Sequence, residues 1–413
     1  MRTYRFLTAA VLSVILSVQT SRSATYTKCY WLNNASCAVT FTFDDGLANQ
    51  FSTIVPALEN YGMRGTFYIV TDWATRDGIW PTLKKMAENG HEIGSHTLTH
   101  PTLATSSELV QSCLIIENKV GQPCTTIAYP YCNFPIDEDA LKKHYISGRI
   151  CSGTIMPYKF SDMYNISSII TGTSGTVKTA DDFKTQFQNA QKSNGWCVFL
   201  THEIDNGSGY SPTKSVEFKT ALIYLKNRRT TYWVGTFKEV SQYVKENSCT
   251  KVTEVSENSD SIVVSLTNDL DPELYDCPLT IRRSVPDGWA QVCATQGSDT
   301  LSAWIDKGYL FFNAVPNAGD VTIRVTETSR VREIIDDTAG QAIAVSLSKD
   351  FVTVLSEMPV RSLELVDMSG RKVFSAENEC IIPITGIPQG NYVLNVRLDE
   401  SLQYTRKLCF AAK

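Results

Sequence analysis

From residue 38 the chain alternates between short apolar runs rich in β-branched and aromatic residues and longer segments whose apolar positions recur every three or four residues. The runs predict strands at 38–43, 65–69, 92–94, 126–129, 146–150, 197–201 and 232–234. The periodic segments predict helices near 50–61, 81–89, 106–120, 137–144, 181–194, 216–227 and 238–246. Alternating strand and helix imply a parallel sheet wrapped by helices, an α/β domain whose reactive groups belong at the C-terminal ends of the strands.

After residue 248 the helical period disappears. Runs at 262–266, 279–283, 291–295, 301–305, 309–313 and 321–326 are short and separated by Gly, Pro, Asp and Asn, the pattern of a small antiparallel sandwich. A second all-strand stretch begins near 341. The expected domains are therefore 24–248, 249–330 and 341–413, behind a leader at 1–23. Trp289, Trp304 and Tyr309 could face a glycan in the middle domain, but large aromatics are more often core, and that reading is favoured.

The first strand runs into Asp44-Asp45-Gly46, and some fifty residues on comes His96-Thr97-Leu98-Thr99-His100. Each motif alone is weak, since Asp-Asp-Gly commonly marks a solvated turn. Together they supply the parts of a metal-assisted hydrolase. If 96–100 is helical, His96 and His100 share a face and can grip one cation, with a carboxylate completing the set. Adjacent aspartates on an extended chain point to opposite sides. Asp45 is accordingly assigned to the metal and Asp44 to the water as general base. On the strand ending at His202, Trp196, Val198, Leu200 and His202 share a face, so an apolar floor leads to an imidazole. His91 and His144 read as surface or structural.

At 413 residues, 43% hydrophobic and 20% charged, the chain suits more than one globular domain. A net charge of -5 without basic runs gives no footprint for nucleic acid. Arg2 and Arg5, an apolar stretch at 6–18, and Ser21 and Ser23 before Ala24 predict a secretory signal too short to span a bilayer. No later segment is a membrane-span candidate. Export would let the twelve cysteines pair, and local spacing suggests Cys29–Cys37, Cys113–Cys124, Cys132–Cys151, Cys277–Cys293 and Cys380–Cys409. Cys197 is expected to be buried, facing away from His202.

Thr42-Phe43-Asp44-Asp45-Gly46, His96-Thr97-Leu98-Thr99-His100 and Leu200-Thr201-His202 resemble, in order and spacing, the first, second and fifth motifs of the polysaccharide deacetylases. This is the NodB-homology domain of carbohydrate esterase family 4, and the resemblance covers about residues 36 to 246. It implies a distorted (β/α) barrel, here followed by two small all-β sandwich-like domains. It implies Asp44 as base and Asp45, His96 and His100 as ligands of a divalent metal, usually zinc, with cobalt or nickel acceptable to the same donors. His202 would be the acid that protonates the leaving group, Leu200 would line the acetyl-methyl pocket, and Trp196 would extend that substrate-binding floor. In Ala128-Tyr129-Pro130-Tyr131, resembling the third motif, the Tyr131 N–H would help hold the oxyanion.

Two departures stand out. The third motif normally opens with an arginine that orients the base, and here that position is Ala128. The fourth motif, an Asp- and Trp-containing segment, has no clear counterpart. Arg149 is the candidate replacement for the arginine, and its loss is expected to lower turnover far more than stability. The implied activity is removal of N-acetyl groups from chitin, peptidoglycan or a surface glycan. An acetyl xylan esterase is the runner-up and a catalytically weak glycan-binding protein the third reading. The strands at 363–373, 384–394 and 404–408 resemble the C-terminal sorting domain of type IX secretion cargo. That resemblance implies a secreted or cell-surface bacterial protein with the type IX machinery as a partner.

Overall fold

After a short strand at Thr27–Lys28 (β1), the strand Cys37–Asp44 (β2) is buried along its whole length, as a parallel strand covered on both faces must be. It begins the series Thr66–Ile69 (β3), Glu92–Ser95 (β4), Thr126–Ala128 (β5), Ser147–Arg149 (β6), Ile169–Ile170 (β7), Trp196–Thr201 (β8) and Tyr232–Val234 (β9). These strands form one curled, half-barrel sheet in the order β6-β5-β4-β3-β2-β8-β7, with β9 also on β2 and every pairing parallel. The computed structural model describes residues 24–205, 207, 209–326, 343–347, 351–356, 359–384, 387–388, 390–398 and 403–410. The expected leader lies outside the described residues.

The helices are Val55–Asn60 (α1), Thr71–Asp77 (α2), Trp80–Glu88 (α3), Ser106–Val120 (α4), Glu138–His144 (α5), Ala180–Ser193 (α6), Ser215–Lys226 (α7) and Phe237–Cys249 (α8), with a π-helical turn at Gln50–Ile54 ahead of α1. The expected alternation is present. The two additions are α2, too short and polar to show a period, and the two-residue β7.

Period two sorts each strand. Val39, Phe41 and Phe43 point to the helix layer, where Phe41 packs on Phe183, Phe187 and Phe218 of α6 and α7. Thr40, Thr42 and Asp44 point the other way, into the curl. There Thr42 Oγ1 donates to the Phe199 carbonyl at 2.7 Å, and Thr40 Oγ1 accepts from Trp196 at 3.0 Å. Helix α8 crosses the strands' N-terminal ends. Its first amides donate to Thr66 Oγ1 and Glu92 Oε2, each at 2.8 Å, and Ser147 Oγ donates to Ser241 at 2.9 Å. One mouth of the curl is thereby plugged, leaving chemistry to the C-terminal ends.

Beyond α8 lie the strands Lys251–Glu257 (β10), Ser261–Thr267 (β11) and Leu279–Ser284 (β12). The chain divides into two units, and the first comprises Met1–Ser256 with Val264–Ser284 and Val315–Asn317. Composition put a boundary at residue 248, yet Val264–Ser284 folds with the α/β domain. β12 pairs with β1, Gln242 of α8 donates to the Leu274 carbonyl at 2.7 Å, and the Cys277 amide donates to Glu246 at 3.1 Å. Within the second unit, Val292–Gln296 (β13) pairs with Asp299–Leu301 (β14), and Ala303–Asp306 (β15) pairs with Tyr309–Ala314 (β16). Val321–Val325 (β17) lies on the other side of β13. Trp289 is core, its Nε1 donating to the Ser259 carbonyl at 3.1 Å.

Further on in this unit come Ile343–Leu347 (β18), Phe351–Ser356 (β19), Ser362–Asp367 (β20), Lys372–Glu377 (β21), Ile381–Pro383 (β22), Gly390–Arg397 (β23) and Gln403–Phe410 (β24). They form two antiparallel sheets, β18-β19-β22 and β21-β20-β23-β24. Alternate residues such as Val352, Val354, Leu363, Leu365, Leu394 and Val396 share one core.

Among the expected cysteine pairs, Cys132–Cys151 is a disulfide. Cys29 and Cys37 are free thiols, because Cys37 lies in the helix-side core while the Cys29 backbone is held by Tyr243 and Asn247 of α8. Cys113 and Cys124 are also free, the Cys113 thiol donating to the Cys124 carbonyl at 3.3 Å. Cys277, buried beside Glu246, and the exposed Cys293 are free as well. Cys380 is a free thiol, and the side chain of Cys409 lies outside the described residues. Among the described residues, no helix is long and apolar enough to cross a membrane.

Glu246 on α8 is fully buried, and its Oε1 has no partner. Burial pushes its carboxyl up from 4.5 to about 8. The folded state therefore keeps a proton that the unfolded chain releases, so the stabilisation is full below the unfolded value and is lost as pH rises toward 8. The Glu246 contribution to thermal stability, read as the difference between wild type and Glu246→Gln, should fall between about pH 5 and pH 8 by up to roughly 4 kcal/mol. A difference that stays constant with pH would contradict the assignment.

Candidate active site

β2 ends on Asp44, which keeps the inward direction of its strand, and the chain then turns through Asp45 (φ 75°) and Gly46 (φ 73°). This turn, not simple alternation, separates the two carboxylates. Asp45 Oδ1 lies 3.6 Å from His96 Nε2 and 3.8 Å from His100 Nε2. All three ligand atoms fall within 4.8 Å of one another. His96 follows β4, and its Nδ1 is 2.8 Å from the Ala128 carbonyl of β5, which fixes the ring and leaves Nε2 facing Asp45.

The expectation of a helix from His96 to His100 is corrected. Thr97 (φ 68°) and His100 (φ 64°) are left-handed, so the segment is a loop that folds His100 back toward His96. Each such residue costs on the order of 1 kcal/mol, and neighbours hold it in place. Glu108, in the first turn of α4, accepts the Leu98 and Thr99 amides at 2.9 Å and the Thr99 hydroxyl at 2.7 Å. Trp73 of α2 stacks on the His100 ring with centroids 5.2 Å apart.

Burial depresses both imidazoles, His96 to about 4, so both are neutral and have the lone pair a metal needs. Burial, joined by the nearby Asp44 charge, pushes Asp45 up to about 7. Its Oδ1 is buried without a hydrogen-bond partner. Two neutral nitrogens around a carboxylate that resists ionising alone form a set that a divalent cation would satisfy in charge and coordination.

Asp44 occupies the other half of the site. Burial alone would raise its carboxyl, but Arg149, His96 and His202 together hold it below the usual carboxylate range. Arg149 Nη2 donates to Asp44 Oδ2 at 2.5 Å, both side chains being 2% exposed. Its Nη1 donates to Ser168 at 3.0 Å, and its guanidinium lies 5.3 Å from the Tyr68 ring centroid. Gly94 makes room for that ring, since a Cβ there would sit 2.6 Å from it. In the parallel register Arg149 is the partner of Ala128. The guanidinium thus enters from one strand over, at the level of the expected arginine.

His202 follows β8 with Nε2 at 3.8 Å from Asp44 Oδ2, and Tyr210 presents an edge to its ring at 5.0 Å. Leu200 lies on the inner face. Trp196 does not belong to the substrate surface. It is 0% exposed at the start of β8, bonded to Thr40 and packed on Phe237 of α8, so it fills the plugged end of the curl. Tyr131 (φ 54°) is 64% exposed and leans on His100 at 4.8 Å, and the adjacent Cys132 is tied to Cys151, two residues past Arg149. Sequence reasoning missed Gln50, Trp73, Glu108, Glu203 and Tyr210. Of these, only Glu108 carried a signal, as an acid in a first helical turn.

Residues 33–144 match the family model for polysaccharide deacetylase. A gellan lyase from Bacillus sp is 27% identical over 325 residues, covering 71% of this chain but 13% of that protein. A peptidoglycan-N-acetylglucosamine deacetylase from Bacillus cereus is 36% identical over 72 residues, 17% of this chain and 25% of that protein. Only a minor part of each relative's length is therefore spanned. Among solved structures, a putative polysaccharide deacetylase from Mycobacterium smegmatis aligns at 15% identity with a TM-score of 0.44, over 56% of this chain and 98% of that one. Within the α/β unit, residues 33–144 thus resemble a polysaccharide deacetylase domain.

Proposed function

We propose that the chain is a metal-dependent hydrolase that removes N-acetyl groups from a polysaccharide of N-acetylated sugars, of the chitin or peptidoglycan kind. The observation that carries this reading is the convergence of Asp45, His96 and His100 beside an ionised, arginine-held Asp44. The partial match to a peptidoglycan-N-acetylglucosamine deacetylase supports the substrate class. A zinc ion on those three ligands would supply an acidified water and polarise the acetyl carbonyl. Asp44 accepts the water's proton at Oδ1, the oxygen that Arg149 leaves free. The Tyr131 N–H donates to the oxyanion, and Leu200 gives the acetyl methyl an apolar wall. His202 takes up at Nε2 the proton that Asp44 draws from the water and hands it to the departing amine, which leaves Asp44 ionised again. The expected leader and the β18–β24 sandwich support secretion, with the sandwich as a sorting domain for the type IX machinery.

Acetate release from N-acetylglucosamine oligomers, peptidoglycan and acetylated xylan tests the activity. Release should stop with chelator and return with zinc, and chelator-resistant release would overturn the reading. Release from xylan alone would move it to an O-acetyl esterase. Asp44→Asn should bind metal normally and lose at least about 100-fold in turnover.

The buried pair also revises the expectation for Arg149. Arg149→Met strands a buried carboxylate, so it should cost about 3–5 kcal/mol as well as activity. Adding Asp44→Asn to it should recover most of that stability and none of the turnover. Denaturant unfolding of the two variants gives the comparison, and no recovery would mean that Arg149 packs rather than pairs.

A further inference from the structure

The ladder between β2 and β8 ends at the Phe43–Thr201 pair. Asp44 and His202 come next on the two strands, and there the β2–β8 pairing stops, although Asp44 still pairs with Tyr68 of β3. Gln50, the first residue of the π-helical turn, bridges the gap. Its Nε2 donates to the Asp44 carbonyl at 2.7 Å and to the His202 carbonyl at 2.8 Å, so both amide hydrogens are used. The side chain is fully buried. Asn49 adds a parallel tie, its Nδ2 donating to the Ile204 carbonyl at 2.8 Å and to the Glu203 carboxylate. Glu203 in turn accepts the Ile204 amide at 3.0 Å and the Gly209 amide at 2.9 Å. Isolated π-turns recur at functional sites, and this one aims two consecutive amides at the segment that carries His202.

We infer that Gln50 is a positioning residue that sets the separation of base and acid by replacing the missing rung between Asp44 and His202. The inference rests on the roles proposed above for those two residues. A base and an acid serving one acyl carbon must be held together, and a displacement of about 1 Å costs on the order of 100-fold in rate. Gln50 bonds to neither His96 nor His100, and Asp44, whose peptide leads into Asp45, is also held by Arg149 and by the β2–β3 ladder, so loss of Gln50 should release the His202 segment while leaving Asp44 and the metal ligands in place.

The test compares two leaving groups. Amide cleavage in an N-acetylglucosamine tetramer needs a proton from His202, whereas 4-nitrophenyl acetate releases a phenolate that needs none. Gln50→Met keeps the length and removes both N–H donors. Gln50→Glu keeps the shape and also removes them, covering the case in which the first variant folds poorly. Both variants should lose about 10- to 100-fold in kcat on the tetramer with KM little changed, and less than about 3-fold on the ester. Zinc stoichiometry should equal that of the wild type, and hydrogen exchange should quicken in peptides covering 200–205 but not 92–100. Equal losses on both substrates, or loss of zinc, would make Gln50 a structural residue and overturn the inference. Wild-type protein inactive on both substrates would instead remove the functional reading, and this inference with it.

Discussion

The site depends on one ion pair, Arg149 with Asp44, closed at 2.5 Å where both partners are almost wholly withdrawn from water. A carboxylate at that depth would by itself hold its proton and could not act as a base. The guanidinium reverses the balance, and its geometry does more than supply charge. It occupies Oδ2 and leaves Oδ1 without a partner, so the ionised group has one free oxygen and one fixed direction. Much of the inner face is arranged for this pair. Ala128 is small beside it, Ser168 takes the second nitrogen, and Tyr68 lies against the guanidinium in space that Gly94 leaves open.

The rest of the α/β unit separates rigidity from strain. At the N-terminal ends of the strands, Trp196, Glu92 and the first turn of α8 close the curl with hydrogen bonds and aromatic packing. At the C-terminal ends, Asp45, Thr97, His100, Tyr131 and Cys132 all have positive φ without being glycine. Such residues are scarce because Cβ crowds the backbone. Their concentration around the candidate metal site means that the loops are held there by what surrounds them, by Glu108, by the Trp73 ring and by the Cys132–Cys151 bridge.

Much of this was legible in the sequence where period and burial agree. β2 and β8 read as strands because they are rich in β-branched and aromatic residues, and α4 was bounded by its period. The inward set Trp196, Val198, Leu200 followed from alternation, but alternation does not say how far along a strand the cavity extends. Trp196 was consequently placed in a substrate surface when it lies in the plug. The spacing of His96 and His100 fits a helix and a tight loop equally well, and only the tertiary hold of Glu108 decides between them. The cysteine spacings held for Cys132–Cys151 but failed for other pairs for a similar reason. Closeness in sequence does not carry Cys29 and Cys37 into the same layer. Gln50 was invisible because its function lies in two backbone carbonyls, which no side-chain pattern reports.

The replacement of Ala128 by Arg149 separates a motif from the physics that the motif serves. What Asp44 requires is a guanidinium at one point in space with its planar donors facing Oδ2. In a parallel sheet, positions paired in register on adjacent strands stand side by side with their side chains on the same face. Ala128 and Arg149 are such a pair. A long, jointed side chain on β6 can therefore reach the point that one on β5 would have reached, provided that the nearer position is small. The third motif looked incomplete because a motif is written along the chain, whereas the charge is delivered across the sheet.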